Sequence, residues 1–303
     1  MPLSILLPRR VRAFLPSILV LILILFSLAA ASKVHDKTLA EIRGGITEKT
    51  VDIFSGYRKI FSGSHPPGQL VLPENLKEFS MFMLSLIKCR AFKGGLETSD
   101  RRVHDIRLIK EMGCTELSMY LYPRIISIHN LQPEDAFPDA HGQLQVPPSL
   151  RASFSRVEEG GVYLVDNGQT CLLWIHSHVS PNLLEDLFGP GKTSLQALNP
   201  NISSLPVLET QLNAQVRNLL QYLGTIHGSK TRAIQLARQG MDGAEYEFAR
   251  LLFEDRNNEA QSYVDWLVHI HRQINLELAG HRKREDDGES TFAALTGLRM
   301  HYW

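Results

Sequence analysis

Between Lys33 and Leu131 the apolar positions recur at three- and four-residue intervals, the period of an amphipathic helix. Leu39, Ile42 and Ile46 open this region. The pair Gly44-Gly45 is expected to interrupt the helix, leaving Val51, Phe54, Tyr57, Ile60 and Phe61 to a second segment. The stretch GSHPPGQ, Gly63 to Gln69, breaks the chain. Pro73 can open the next helix, in which Leu76, Phe79, Met83 and Leu86 share a face until Gly94-Gly95 stops it. Ser99 or Asp100 can cap a further helix aligned on Val103, Ile106, Ile109 and Met112, which Gly113 ends. A short helix starts at Cys114 or Thr115 and closes at Pro123. The pattern predicts a small helical bundle.

The stretch Gln132 to Pro148 is rich in proline and aspartate and marks a domain boundary. Beyond it the period changes. Val162 to Val165 and Cys171 to Ile175 are β-rich runs, and Asn167-Gly168 between them favours a turn with positive φ. In an unbroken strand Cys171 points to the face opposite His176 and His178. Pro181 to Phe188 reads as a short helix ended by Gly189. Leu208, Leu212, Val216, Leu219, Leu220 and Leu223 form a helical stripe. Ala233 to Leu236 reads as a strand and Ala244 to Phe253 as a helix. Tyr263 to Leu278 is a last helix, with Tyr263, Leu267, Ile270, Ile274 and Leu278 on one side. The expected fold class is α+β: an all-α bundle, then a sheet flanked by helices.

The segment Phe14 to Ala31 carries no charge, follows a basic flank and ends in small residues. This is the pattern of a signal peptide, with Ala29 and Ala31 at the cleavage motif, and it is just long enough for an anchor. From Gly280 the charged run HRKREDDGE predicts a solvated, disordered tail to Trp303. A formal net charge of zero gives no electrostatic reason to bind nucleic acid. Cys89, Cys114 and Cys171 are odd in number and widely spaced, which fits a reducing compartment and offers no zinc motif. Asn201-Ile202-Ser203 is a glycosylation sequon.

The apparent chemical motifs have plainer readings. FGPGKTS, Phe188 to Ser194, resembles the end of a phosphate-binding loop, but the position that motif gives to its first glycine holds Asp186. His176 and His178 share a strand face without an evident third ligand. His269 and His271 fall on different sides of a helix. The adjacent acids Glu158-Glu159, Glu185-Asp186 and Asp286-Asp287 read as surface. No catalytic, cofactor or metal residue is assigned, and no enzyme is expected. Trp174 reads as an anchor of the sheet core.

Four stretches in order carry a resemblance. They are Ile46 to Phe79, with ITEKTVDIFSGYRK and PPGQLVLPENLKEF, then YLYPRIISIHNL (Tyr120 to Leu131), GGVYLVDNGQTCLLWI (Gly160 to Ile175) and SYVDWLVHIHRQI (Ser262 to Ile274). Together they resemble the C-terminal part of the Sec-twenty-four family, the cargo adaptor of the COPII vesicle coat. The resemblance implies a helical domain (33–131), a linker (132–148), a gelsolin-like domain with a mixed sheet (149–260) and a C-terminal helix (261–279) that can pack on the helical domain. It also implies a non-enzymatic role in transport from the endoplasmic reticulum to the Golgi. The partners would be an inner-coat subunit and cargo tails, on the cytoplasmic face of the membrane. Residues 14–31 offer a second route to membrane association. No cargo-binding residue carries over, and the family's zinc module has no cysteine quartet here. A truncated paralogue without coat activity and a lumenal gelsolin-like binding protein are the other expectations.

Overall fold

The computed structural model describes residues 9–61, 72 and 76–282, with side chains from Leu21 onward. The helices are α1 (Arg9–Ser32), α2 (Leu39–Ile60), α3 (Phe79–Lys88), α4 (Ser99–Glu111), α5 (Cys114–Leu121), α6 (Pro181–Phe188), α7 (Gln211–Ile226), α8 (Ala244–Leu251) and α9 (Tyr263–Leu278). The strands are β1 (Arg124–Ser127), β2 (Val162–Asp166), β3 (Cys171–Ile175) and β4 (Gln235–Arg238). They divide into two compact units, Met1–Cys114 with Glu259–Trp303, and Thr115–Asn258. Pro73, the GSHPPGQ stretch and the tail from Lys283 lie outside the described residues.

The first unit is the helical bundle. α2 starts on a capping box: Glu41 N donates to the Thr38 hydroxyl, and Thr38 N donates to the Glu41 carboxylate. It runs unbroken through Gly44-Gly45, contrary to the expected interruption. Each glycine costs about 1 kcal/mol in a helix. The cap and the burial of Ile42, Ile46, Val51 and Phe54 outweigh that cost. α3 is buried on nearly every side and ends at Lys88, ahead of the glycine pair expected to stop it. Phe79 at its start meets Phe26 and Phe54 edge-on, each at 5.7 Å. The apolar run read as a signal-like segment is therefore part of this core from Leu21 on. Leu23, Phe26, Ser27, Ala30 and Ala31 are buried. Among the described residues, no helix is long and apolar enough to cross a membrane.

α9 joins the same bundle by packing on α2 and α3. Its buried edge is Trp266, Ile270 and Ile274. The Trp266 indole donates to Ser80, at 3.1 Å to the carbonyl and 2.9 Å to the hydroxyl. The side expected to be inward included Leu267 and Leu278, which are exposed. On α4 the inward positions are Asp105, Ile106 and Ile109, while Val103 faces solvent. Arg90 holds the buried Asp105 with both arms, at 2.7 and 2.6 Å.

The second unit is built on a sheet in the order β1-β2-β3-β4. β1–β2 and β2–β3 are antiparallel, and β3–β4 is parallel. Both faces are covered, which is why β2 and β3 are buried at every position and apolar at all but Asp166, instead of alternating. Ile126, Val162, Leu164, Leu173 and Ile175 pack with Leu184 and Leu187 of α6 and with Val216, Leu219 and Leu223 of α7. Ile125, Tyr163, Val165, Leu172 and Trp174 pack with Phe248 and Leu251 of α8. β1 lies inside the stretch that reads as helical from its periodicity. Four residues are too few to show a period of two.

The β2–β3 connection has four residues, Asn167 to Thr170. The Asn167 side chain folds it, accepting from Gln169 N at 3.0 Å and Thr170 N at 2.8 Å. Gly168 supplies the positive φ, +84°. A Cβ there would have room, its nearest neighbour being His227 at 3.6 Å. Gly168→Val should therefore lose about 1–2 kcal/mol through backbone strain alone. Urea denaturation measures this, and an unchanged midpoint would contradict the strain argument.

Candidate functional site

The β2–β3 hairpin does not assemble a reactive centre. Cys171 packs with Leu173 and Ile175 against α7, and burial pushes its thiol pKa up. His176 lies on the other face, 5.9 Å from the Trp174 ring, as strand parity predicts. Its Nδ1 accepts from His178 N at 3.0 Å. Burial, then the neighbouring His178, lowers its pKa. His178 is paired with Glu159 at 2.8 Å. Among the described residues, no group of three or more His, Cys, Asp or Glu could hold a metal ion.

The loop after α6 spends its polar groups locally. Gly191 N donates to Glu185 at 2.9 Å, and Lys192 Nζ donates to the Ala197 carbonyl at 3.0 Å. It is a helix stop closed on its own carboxylate, not an open cradle for phosphate. Glu158 is held by Asn130 at 3.1 Å and His129 at 3.3 Å, which lowers its pKa. His269 and His271 lie on α9, where His271 meets Asn275 at 3.4 Å. Asn201 is exposed. Asp286 and Asp287 lie outside the described residues.

The three thiols differ in access. Cys89 is buried, and desolvation pushes its pKa up to about 12. Cys171 is buried and Cys114 is exposed. A thiol reagent on the native protein should modify Cys114 alone, read by peptide mass. Modification of Cys89 or Cys171 at the same rate would show that the cores open.

What the motifs did not reveal is a set of buried ionic clusters in the sheet unit. At the turn end of the sheet, Asp166 is 1% exposed. It accepts from His227 Nε2 at 2.9 Å and from Arg232 Nε at 3.3 Å. Arg124 sits opposite Asp166 in the β1–β2 register. Its guanidinium lies 5.9 Å over the Tyr222 ring. Arg124 Nη1 and Arg232 Nη2 are buried with no hydrogen-bond partner among the described residues. On the opposite edge strand, Arg238 grips Asp242 at 2.8 and 2.7 Å and donates to the carbonyls of Leu195 and Leu198. The Tyr122 hydroxyl donates to Glu254, which also pairs with Arg151 at 2.7 Å. Burial, then that carboxylate, raises the Tyr122 pKa.

The Arg238 bonds hold the Asp242 carboxyl below the ordinary carboxylate range. A depressed folded pKa stabilises the fold above the unfolded value, about 4, and the gain is lost as pH falls through the folded value. Asp242→Asn should therefore be less stable than the parent near neutral pH, and the gap should close in acid. Urea midpoints across pH 2–7, on the order of one point per pH unit, measure the convergence. A gap that stays constant in acid would rule out the carboxylate as its source.

The helical unit offers a different kind of surface. On α9, Val264, Leu267 and Val268 are 69%, 39% and 65% exposed. They form an apolar stripe at helical spacing, opposite the buried Trp266 edge.

Comparison with known proteins gives both units relatives. The Sec23/Sec24 helical domain matches residues 20–119, and the gelsolin repeat matches residues 143–220. Human protein transport protein Sec24C is 29% identical over 240 residues, covering 78% of this chain and 21% of the relative. SEC24 of Pyricularia oryzae is 30% identical over 258 residues, with 82% and 27% covered. SEC24 C of Arabidopsis thaliana is 30% identical over 253 residues, with 82% and 22% covered. The crystal structure of the human COPII-coat protein Sec24c superposes with a TM-score of 0.73 at 27% identity, covering 86% of this chain and 33% of that one. The chain thus spans between a fifth and three tenths of the length of the curated relatives it matches.

Proposed function

We propose that this chain, which belongs to the Sec24 family in its helical and gelsolin-like domains, acts as a partial COPII coat adaptor. It contributes protein–protein contacts to cargo selection and vesicle transport from the endoplasmic reticulum to the Golgi. The observation that carries this reading is the order of the two domains on one chain, with the fold of the human coat protein over 86% of its length. Its partners are an inner-coat subunit and the cytosolic tails of cargo or cargo receptors. Its place is the cytoplasmic face of the endoplasmic reticulum membrane. The work is done by surfaces. The exposed α9 stripe is the kind of apolar patch that protein contacts use, and the ionic clusters brace the sheet unit.

The direct test is capture of a purified inner-coat subunit, and separately of cargo-tail peptides, on the immobilised full chain. Binding of either is expected. If neither binds, the adaptor reading fails. Location has its own readout at Asn201, an exposed sequon that is glycosylated only in the lumen. The chain isolated from cells should show no shift on deglycosylation. A shift would favour the lumenal alternative.

A further inference from the structure

Two turns meet at one end of the sheet, residues 158–161 before β2 and residues 176–179 after β3. His176 N donates to the Gly161 carbonyl at 3.0 Å. His178 Nδ1 lies 2.8 Å from the Glu159 carboxylate. Gly160 has a φ of +73°, and a Cβ there would stand 3.0 Å from the His178 carbonyl oxygen. Within the second turn, His178 N donates to His176 Nδ1 at 3.0 Å. That bond fixes the protonation state of His176. A ring nitrogen that accepts from an amide carries no proton, so the imidazole is neutral with its hydrogen on Nε2. A second proton would turn Nδ1 into a donor facing a donor.

We infer that His176 is the trigger of an acid-released clasp between these two turns. The neutral ring holds the His178 amide, which seats the His178 carbonyl against Gly160 and brings its imidazole to Glu159. Protonation of His176 breaks the amide bond and frees the second turn from the first. On its own strand the ring meets Trp174 edge-on, which brings no charge. Among the described residues, the charged groups that act on it are His178, with ring centres 5.4 Å apart, which repels a charge there, and Glu159, which attracts one. Gln239, which accepts from Ser177 N at 2.8 Å, is neutral. Burial and His178 outweigh Glu159, so the folded value lies below the ordinary one of 6.5. The unfolded chain then binds the proton more readily. The stabilising contribution is complete above the ordinary value and is lost as pH falls through the folded one. The bond from Val179 N to the His176 carbonyl, 3.2 Å, does not involve the ring. The release is therefore confined to the turn and its contact with Glu159, and the sheet stays paired.

The test is nitrogen-15 NMR on the full chain, labelled in its histidine rings and amides, from about pH 7.5 to about pH 5. At the upper end the His176 ring should show a bare Nδ1 and a protonated Nε2, and it should titrate below 6.5. Across that titration the His178 amide should lose about two- to tenfold of its protection against hydrogen exchange, relative to its intrinsic rate, the worth of one hydrogen bond. His176→Asn places an acceptor oxygen that does not titrate near the Nδ1 position, and it should keep the protection at every pH. His176→Ala should lack it at every pH. A proton on Nδ1 at the upper end, a His178 amide indifferent to the His176 titration, or protection that still falls in the asparagine variant would overturn the clasp. Should a variant fail to fold, the ring signals and the parent amide still decide.

Discussion

Trp174→Ala is expected to lower the stability of the sheet unit by about 3–5 kcal/mol, the range for deleting a large buried aromatic. The indole is 1% exposed and stacks on Phe248 of α8, with ring centres 4.6 Å apart and planes at 20°. Tyr163 lies 5.9 Å away on the same face. Removing the ring unties the helix from the sheet and leaves a cavity between them. The loss belongs to packing, because the indole N–H finds no partner among the described residues. Trp174→Phe keeps the stack and removes that N–H, so its cost should be a small fraction of the alanine cost. Urea denaturation followed by circular dichroism gives both numbers. Equal losses for the two variants would mean that the stack is not what holds α8.

Asp105→Ala should destabilise the helical unit by about 3 kcal/mol. Breaking a buried ion pair from one side typically costs about 3–5 kcal/mol, because it strands the other charge. The lower end applies because the Arg90 side chain is 22% exposed and water can reach part of it. Arg90→Ala combined with Asp105→Ala should cost less than the sum of the two single changes, since neither charge is then stranded. Strict additivity would show that the bidentate geometry carries no coupling. Trp266 reports the helical unit and Trp174 the sheet unit, so single-tryptophan variants can separate the two transitions.

These residues mark where the sequence was readable. Trp174 stood out because a large aromatic in an uninterrupted apolar strand has nowhere to go but a core. α9 was readable to its end residues, since a proline-free amphipathic run with a serine cap leaves little choice. Its inward edge was not, because Val264, Leu267 and Val268 are as apolar as the buried side, and periodicity cannot rank two apolar faces. Asp105 was hidden for the opposite reason. A charged residue in a helix reads as surface until its partner, fifteen residues back in the turn after α3, is placed against it. The run ending at Ala31 shows a third limit. Hydropathy records that a segment leaves water, and not whether protein or lipid receives it. The carboxylate cluster drew on positions 124, 166, 227 and 232, which no local spacing connects.

The helical unit is not continuous in sequence. Its first four helices precede the sheet unit, and α9 follows it. During synthesis the sheet unit can close as soon as it has emerged, but α2 and α3 must wait for Trp266, Ile270 and Ile274 to leave the ribosome. At about 5–20 residues per second, that delay lasts on the order of ten seconds or more. Throughout it, Phe79, Met83 and their neighbours lack the helix that covers them. The bundle is therefore the part of this protein that most needs a chaperone, and the part that a premature stop before α9 would leave permanently unfinished.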